Sequence, residues 1–383
     1  MIAQPDRPIV LEPERKCPEV LDFETKLRGR VVGQAEAVSQ LEVVYQSVLA
    51  GMAIPGRPLA NLLFLGPTGS GKTHLVEAAA EILFGRPNAF VKIDCAEFQH
   101  SHEIAKILGS PPGYIGHHET QPVITQEVID SFHTDKLKMA FVLFDEIEKA
   151  SDALWQLLLG ILDKGSLTLG DNRKVDLSRT VIFMTSNLGT SEMTRAAAGG
   201  IGFAPPAADA GDRADEKIYR IAVEAAKRRF SPEFMNRIGK VIVFKSLSRP
   251  QLTEVLSLEL GFVQERIKTT APENGFVVNY TQSARDFLLS EGTDLRYGAR
   301  HLKRAIESHV VFALSGLMAS SQIAPGDLIT IEHERDKSGL TFTKLQRAAP
   351  DEPGSSNVTS CARQVSGAGN APYFCASASS FRR

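Results

Sequence analysis

Cysteine is scarce in this chain of 383 residues, with only Cys17, Cys95, Cys361 and Cys375 present and no CxxC pair among them. That spacing argues against a structural zinc site, and the density is far below that of a disulfide framework, so reduced thiols are expected. An excess of charge of one sign is missing too. The 43 basic and 45 acidic residues leave a formal net charge of -2, which offers no electrostatic footprint for nucleic acid. Brief basic clusters, Lys227-Arg228-Arg229 and Lys303-Arg304, lack interleaved aromatics and read as solvated helix faces. No apolar run approaches the roughly 20 residues of a membrane span, and Pro5, Asp6, Arg7 and Pro8 stand where a signal peptide would carry its apolar core. A cytoplasmic location without a membrane partner is expected. His100, His102, His117 and His118 crowd one polar stretch but have no cysteine partners, which favours solvated histidines over a metal site.

Hydrophobic content, by contrast, is ample at 43%, enough for more than one core. Short apolar runs fall at residues 61–65, Phe90-Val91-Lys92-Ile93, Phe141-Val142-Leu143-Phe144, Val181-Ile182-Phe183-Met184 and Val241-Ile242-Val243-Phe244, with helical patterns between most of them. Buried strands alternating with helices predict an α/β fold: a parallel sheet with helices on both faces and ligands at the strands' C-terminal ends. After Ser246-Leu247-Ser248-Arg249-Pro250 the pattern changes. Helical spacing over 251–268, 282–290 and 298–318, then a strand at 327–331, predicts a small, mainly helical C-terminal subdomain. The expected organisation is a tail at 1–18, a large domain at 19–246, a small domain at 247–347 and a second tail at 348–383. Both tails are expected to be disordered on composition.

Within the large domain, Gly66-Pro67-Thr68-Gly69-Ser70-Gly71-Lys72-Thr73 forms a GxxxxGKT loop. It follows the strand at 61–65 and precedes a helix marked by Leu75, Ala78, Ala79, Ile82 and Leu83. Glycines let backbone N–H groups close around phosphates, the helix N-terminus adds its dipole, Lys72 adds a point charge, and Thr73 is placed to ligate Mg²⁺. A nucleoside triphosphate is the expected ligand. The run 141–144 ends in Asp145-Glu146, one carboxylate to hold Mg²⁺ and a second to polarise an attacking water. With the loop upstream, this pair predicts ATP hydrolysis over passive binding. Asn187, at the end of the next strand, can orient the same water, although an asparagine at a strand exit is common. Arg237, in Ser231-Pro232-Glu233-Phe234-Met235-Asn236-Arg237, and Arg300, in Tyr297-Gly298-Ala299-Arg300, have no function derivable from spacing. Tyr114, flanked by Gly113 and Gly116, reads either as a surface turn or as an apolar grip on a mobile loop. Ile201-Gly202-Phe203 stands out as apolar in a Gly/Pro/Ala-rich loop.

Taken in order, Val31-Val32-Gly33-Gln34, GPTGSGKT, Gly109-Ser110-Pro111-Pro112-Gly113-Tyr114-Ile115-Gly116, Leu143-Phe144-Asp145-Glu146-Ile147-Glu148-Lys149, Met184-Thr185-Ser186-Asn187 and Tyr297-Gly298-Ala299-Arg300 carry a resemblance. From about Leu27 to Ile331 the chain resembles the AAA+ ATPases of the Clp unfoldase and disaggregase group, in particular their second ATPase module. The resemblance implies a P-loop AAA+ fold with a D2-small-like C-terminal domain, ATP and Mg²⁺ as cofactors, and a homohexameric ring. It implies Val31 and Val32 in the adenine pocket, Asn187 as sensor 1, Arg300 as sensor 2, and Arg237 as an arginine finger reaching the neighbouring subunit. Tyr114 and Ile115 would grip polypeptide in a central pore, while Ile201, Gly202 and Phe203 would dock a ClpP-like peptidase. Gly239 and Lys240 after Arg237, and Ser231 before Pro232, depart from the family's pattern around the finger. The expected function is an ATP-dependent unfoldase or remodelling chaperone. The alternative is an ATP-driven switch or scaffold that remodels a dedicated partner without threading it.

Overall fold

In the computed structural model, the described residues are 12, 14–110, 121–197, 210–270, 275–293, 298–334 and 339–344. Helices α1 (Pro18–Arg28) and α2 (Ala35–Leu49) precede β1 (Ala60–Leu65), which passes through the glycine-rich loop into α3 (Lys72–Phe84). Then come β2 (Val91–Asp94), the short α4 (Ala105–Leu108) and α5 (Gln126–Asp130), β3 (Ala140–Asp145) and α6 (Asp152–Lys164). A hairpin of β4 (Ser166–Thr168) and β5 (Lys174–Asp176) leads to β6 (Thr180–Ser186), α7 (Thr190–Ala197), α8 (Ala210–Arg229), α9 (Pro232–Arg237) and β7 (Lys240–Val243).

The five apolar runs of the sequence become one parallel sheet in the order β2-β3-β6-β1-β7. The central strands β1, β3 and β6 are covered on both faces, which is why they read as apolar runs, whereas the edge strand β2 alternates buried Val91 and Ile93 with exposed Lys92 and Asp94. On one face Leu63, Leu65, Val142, Phe144, Ile182 and Met184 meet α6 and α9. On the other, Leu62, Phe64, Phe141, Leu143 and Phe183 meet α1, α2 and α3. The Phe64 ring meets Phe183 at 5.6 Å and Phe244 at 5.0 Å in tilted contacts, so the sheet centre is dense with aromatic area. Each side chain of this size contributes about 1.5–3 kcal/mol on full burial, and these two layers fix the sheet that carries the site.

Beyond β7, α10 (Arg249–Thr270), β8 (Val277–Tyr280), α11 (Gln282–Gly292) and α12 (Ala299–Ile306) are followed by a π-helical turn at Glu307–Val311. The chain then continues through α13 (Phe312–Ala319), β9 (Leu328–His333) and β10 (Leu340–Lys344). Leu256, Leu260, Leu288, Leu302, Ile306 and Ile331 build a separate core here. The strand expected at 327–331 overlaps β9, which is the centre of a three-stranded sheet in the order β10-β9-β8. The single helix expected at 298–318 is divided by the π turn. Lys16, inside the stretch read as an N-terminal tail, pairs with Glu24 at 2.7 Å and with the buried Glu42 at 2.6 Å, tying the start of α1 to α2. No described helix is long and apolar enough to cross a membrane.

Candidate functional site

A cavity of about 330 Å³ opens where β1, β3 and β6 end and where α10 and α12 close over them. Its floor is the loop from Gly66 to Gly71. Gly66 has φ +152, and a Cβ there would lie 2.4 Å from the Phe244 carbonyl oxygen, so only glycine lets β1 turn away beside β7. Gly71, at φ +99, opens directly into α3, so the loop's amides and the helix N-terminus face one space.

Lys72 is buried in that space, 7% exposed. Its Nζ donates to the carbonyls of Gly66 (2.7 Å) and Pro67 (2.9 Å) and to Asn187 Oδ1 (2.9 Å). Burial pushes its pKa down to about 8, against the pull of the carboxylates of Glu148, Asp145 and Glu146. A buried ammonium held only by neutral oxygens is poorly compensated, and a polyanion at the amide cradle would supply what it lacks. The donor set therefore fits a triphosphate.

Asp145 and Glu146 leave the end of β3 in different ways. The Asp145 carboxylate accepts from the Thr185 hydroxyl and sits 3.1 Å from Lys92 Nζ. Glu146 adopts a left-handed conformation, φ 57 and ψ 48, and its N–H donates to Thr185 Oγ1 at 3.0 Å. Its carboxylate pairs with Lys149 and accepts at 3.4 Å from the Asn187 amide. Asn187 thus bridges Lys72 and Glu146, while its own N–H donates to Glu148 Oε1 at 3.2 Å. Among the described residues no group of three or more His, Cys, Asp or Glu could enclose a metal ion. Thr73 and Asp145 both line the cavity, and two such oxygens fit Mg²⁺, which completes its shell with water and phosphate rather than with an all-protein cage.

The upper wall comes from the C-terminal core. Val31 and Val32 line the cavity together with Leu247, Val255, Leu258 and Phe262, the apolar side chains that a nucleobase would need. Arg300, in the first turn of α12, points its charge into the same cavity. The start of α12 also touches the phosphate loop: the Ala299 N–H donates to the Gly69 carbonyl at 3.1 Å. Gly298, at φ +53, approaches so closely that a Cβ would lie 2.8 Å from that oxygen.

Arg237 does not join this cavity. It ends α9 ahead of β7, and its carbonyl accepts from Asn61 Nδ2 at 3.3 Å, beside the start of β1. Five residues of strand separate Asn61 from Gly66, roughly 16 Å at the usual rise. Its guanidinium donates to Glu233 at 2.9 Å and lies 3.9 Å from Asp163. Tyr114, Ile115, Ile201, Gly202 and Phe203 lie outside the described residues.

Several site residues were assigned no role by the sequence, although Thr185 and Gln34 fall within the strings that carry the family resemblance. Thr185 joins Asp145 to the Glu146 main chain, and Lys92 neutralises Asp145. Buried Gln34 donates to Ser70 O (3.1 Å) and Lys245 O (3.0 Å), pinning the phosphate loop to the exit of β7. The apolar spacing of α10 predicts a helix, but nothing in it says which face meets a ligand.

Comparison with known proteins bears on this site. The family described as "AAA domain (Cdc48 subfamily)" matches residues 57–241, and "C-terminal, D2-small domain, of ClpB protein" matches residues 247–331. The ATP-dependent Clp protease ATP-binding subunit ClpC of Staphylococcus saprophyticus is 34% identical over 339 residues, 88% of this chain and 39% of that protein. Chaperone protein ClpB 1 of Thermosynechococcus vestitus is 35% identical over 331 residues, 86% of this chain and 35% of that protein. Among solved structures, a closed state of Hsp104 with ATPγS and FITC casein aligns with a TM-score of 0.69 at 28% identity, covering 85% of this chain and 52% of that one. The chain thus spans well under half the length of the curated relatives it matches.

Proposed function

Because the chain belongs to the AAA+ ATPases of the Clp family, we propose that it hydrolyses ATP within a ring of its own copies and spends the cycle on unfolding and threading polypeptide chains. The observation that carries this reading is the convergence of Lys72, Asn187 and Glu146 in one cavity walled by both cores. A passive binder needs the lysine and the amide cradle but has no use for a carboxylate joined to the lysine by a shared amide.

In this reading the large domain runs to residue 246 and the small domain from 247 to 347. The loop amides and Lys72 hold the β- and γ-phosphates, and Val31, Val32 and the α10 face hold the adenine. Mg²⁺ on Thr73 and Asp145 would supply charge neutralisation between the phosphates. Glu146 takes the proton of the attacking water at its carboxylate, and Asn187 orients that water. Arg300 binds developing negative charge from the small domain side. Arg237 serves the site of the adjacent copy, since the distance along β1 keeps it from its own. Tyr114 and Ile115 grip the substrate chain, and Ile201, Gly202 and Phe203 dock a ClpP-like peptidase. The ClpC relative's name and the casein in the Hsp104 structure support polypeptide as the object of the work.

A folded fluorescent protein bearing an unstructured tail tests the reading. With Mg-ATP, the Tyr114→Ala variant is expected to keep phosphate release and lose unfolding. Unfolding that survives this change removes the threading mechanism. With a ClpP-like peptidase added, the Ile201→Ala, Phe203→Ala double variant is expected to unfold without degradation; degradation at the wild-type rate removes the docking role.

A further inference from the structure

Glu146 is one of three described non-glycine residues with positive φ, and it is the one that carries a reacting group in the proposed mechanism. A left-handed conformation costs a non-glycine residue on the order of 1 kcal/mol or more, and it persists only where the surroundings over-determine it. On the side of the sheet, Thr185 Oγ1 accepts the Glu146 N–H. Two further side chains hold the next two carbonyls in turn. Trp155 Nε1, from α6, donates to Ile147 O at 3.1 Å, and Arg229 Nη2, from the end of α8, donates to Glu148 O at 3.0 Å. The two donors are themselves joined, because the Arg229 guanidinium lies 4.3 Å from the Trp155 ring centre.

The indole also reaches further. Its ring meets Phe230 edge-on at 5.6 Å and Phe234 at 6.5 Å, and those two phenyl rings lie 5.2 Å apart. Phe234 is fully buried in α9, the helix that ends at Arg237. Neither Trp155 nor Arg229 lines the nucleotide cavity.

We infer that Trp155 and Arg229 form a brace of positioning residues that fixes the turn Glu146–Lys149 for hydrolysis and ties it mechanically to the helix carrying Arg237. The inference rests on Glu146 as the base of the proposed reaction. The brace acts on carbonyls, not on the nucleotide, so its loss lowers the rate of hydrolysis without loosening the phosphate loop. Two hydrogen bonds on adjacent carbonyls also make the unit cooperative: once one is lost, the turn gains the freedom that the other was limiting.

Trp155→Phe keeps an aromatic ring against Phe230 and Phe234 and deletes the N–H donor. Arg229→Met keeps the length of an exposed side chain and deletes the other, and Arg229→Lys retains a donor. With Mg-ATP, Trp155→Phe and Arg229→Met are each expected to lower kcat about tenfold or more while nucleotide Kd stays within about twofold, the signature of a displaced reacting group. Arg229→Lys is expected to recover part of that rate, and the double variant to fall little below the worse single one. Trp155 is the only tryptophan of the chain, so its emission is expected to shift when Arg229 loses its charge and when nucleotide binds. Wild-type kcat in both deletion variants overturns the brace. So does a fall in kcat matched by equal losses in affinity and thermal stability, since that is what a purely structural role predicts. A wild type that releases no phosphate removes the hydrolytic reading and the brace with it, a result distinct from an active wild type with indifferent variants.

Discussion

Lys72 concentrates the electrostatics of the site. Its pKa, pushed down to about 8 from 10.5 by burial, means that the unfolded chain holds the proton more tightly than the empty folded site. Folded stability from this group therefore rises with pH between those two values. A bound triphosphate reverses the sign by favouring the ammonium form. Nucleotide affinity should then fall as pH climbs above about 8, and binding near pH 9 should take up about one proton per site, with little uptake near pH 7. Calorimetric titration in buffers of different ionisation enthalpy measures this directly. Binding at the higher pH without proton uptake would mean that Lys72 is already fully charged in the empty site. At this scale the sequence was legible wherever the residue type states its chemistry, as with the loop lysine and the paired acids. Thr185, Gln34, Trp155 and Arg229 were not legible, because each acts by reaching a main-chain or carboxylate atom that only the fold brings near.

Among the elements, the sheet was the most readable. A strand buried on both faces reads as an apolar run, so the centres of β1, β3 and β6 announce themselves, and β6 is buried from end to end even at Thr180, Thr185 and Ser186. Strands β8 and β10 are short and half exposed, with Val277 at 53% beside buried Val278, and that weak alternation is lost among helical patterns. The meeting of α12 with the phosphate loop was equally hidden, although Gly298 was in plain view. Its φ of 53 and ψ of −142 belong to glycine alone, and its close approach to Gly69 O lets the Ala299 N–H bond there. Gly298→Ala is expected to destabilise the docked helix by about 1–2 kcal/mol and to weaken nucleotide binding about tenfold. Equilibrium nucleotide titration checks this, and an unchanged Kd would show that α12 contributes nothing to the phosphate loop.

For the whole molecule, the decisive geometry is the separation of Arg237 from its own cavity by the length of β1. The guanidinium is held by Glu233 and Asp163 at the opposite end of the strands, so any part it takes in phosphate chemistry has to be played on another copy. In the proposed ring, hydrolysis is a property of the assembly, with each site completed by its neighbour. Subunit mixing tests that claim most directly. Glu146→Gln and Arg237→Ala proteins, each inactive alone, are combined with Mg-ATP and phosphate release is followed. Recovery of a substantial fraction of wild-type activity is expected, because an Arg237→Ala subunit keeps its own Glu146 and borrows Arg237 from a Glu146→Gln neighbour. A mixture that forms mixed assemblies and stays as inactive as its components, beside an active wild type, would contradict the account.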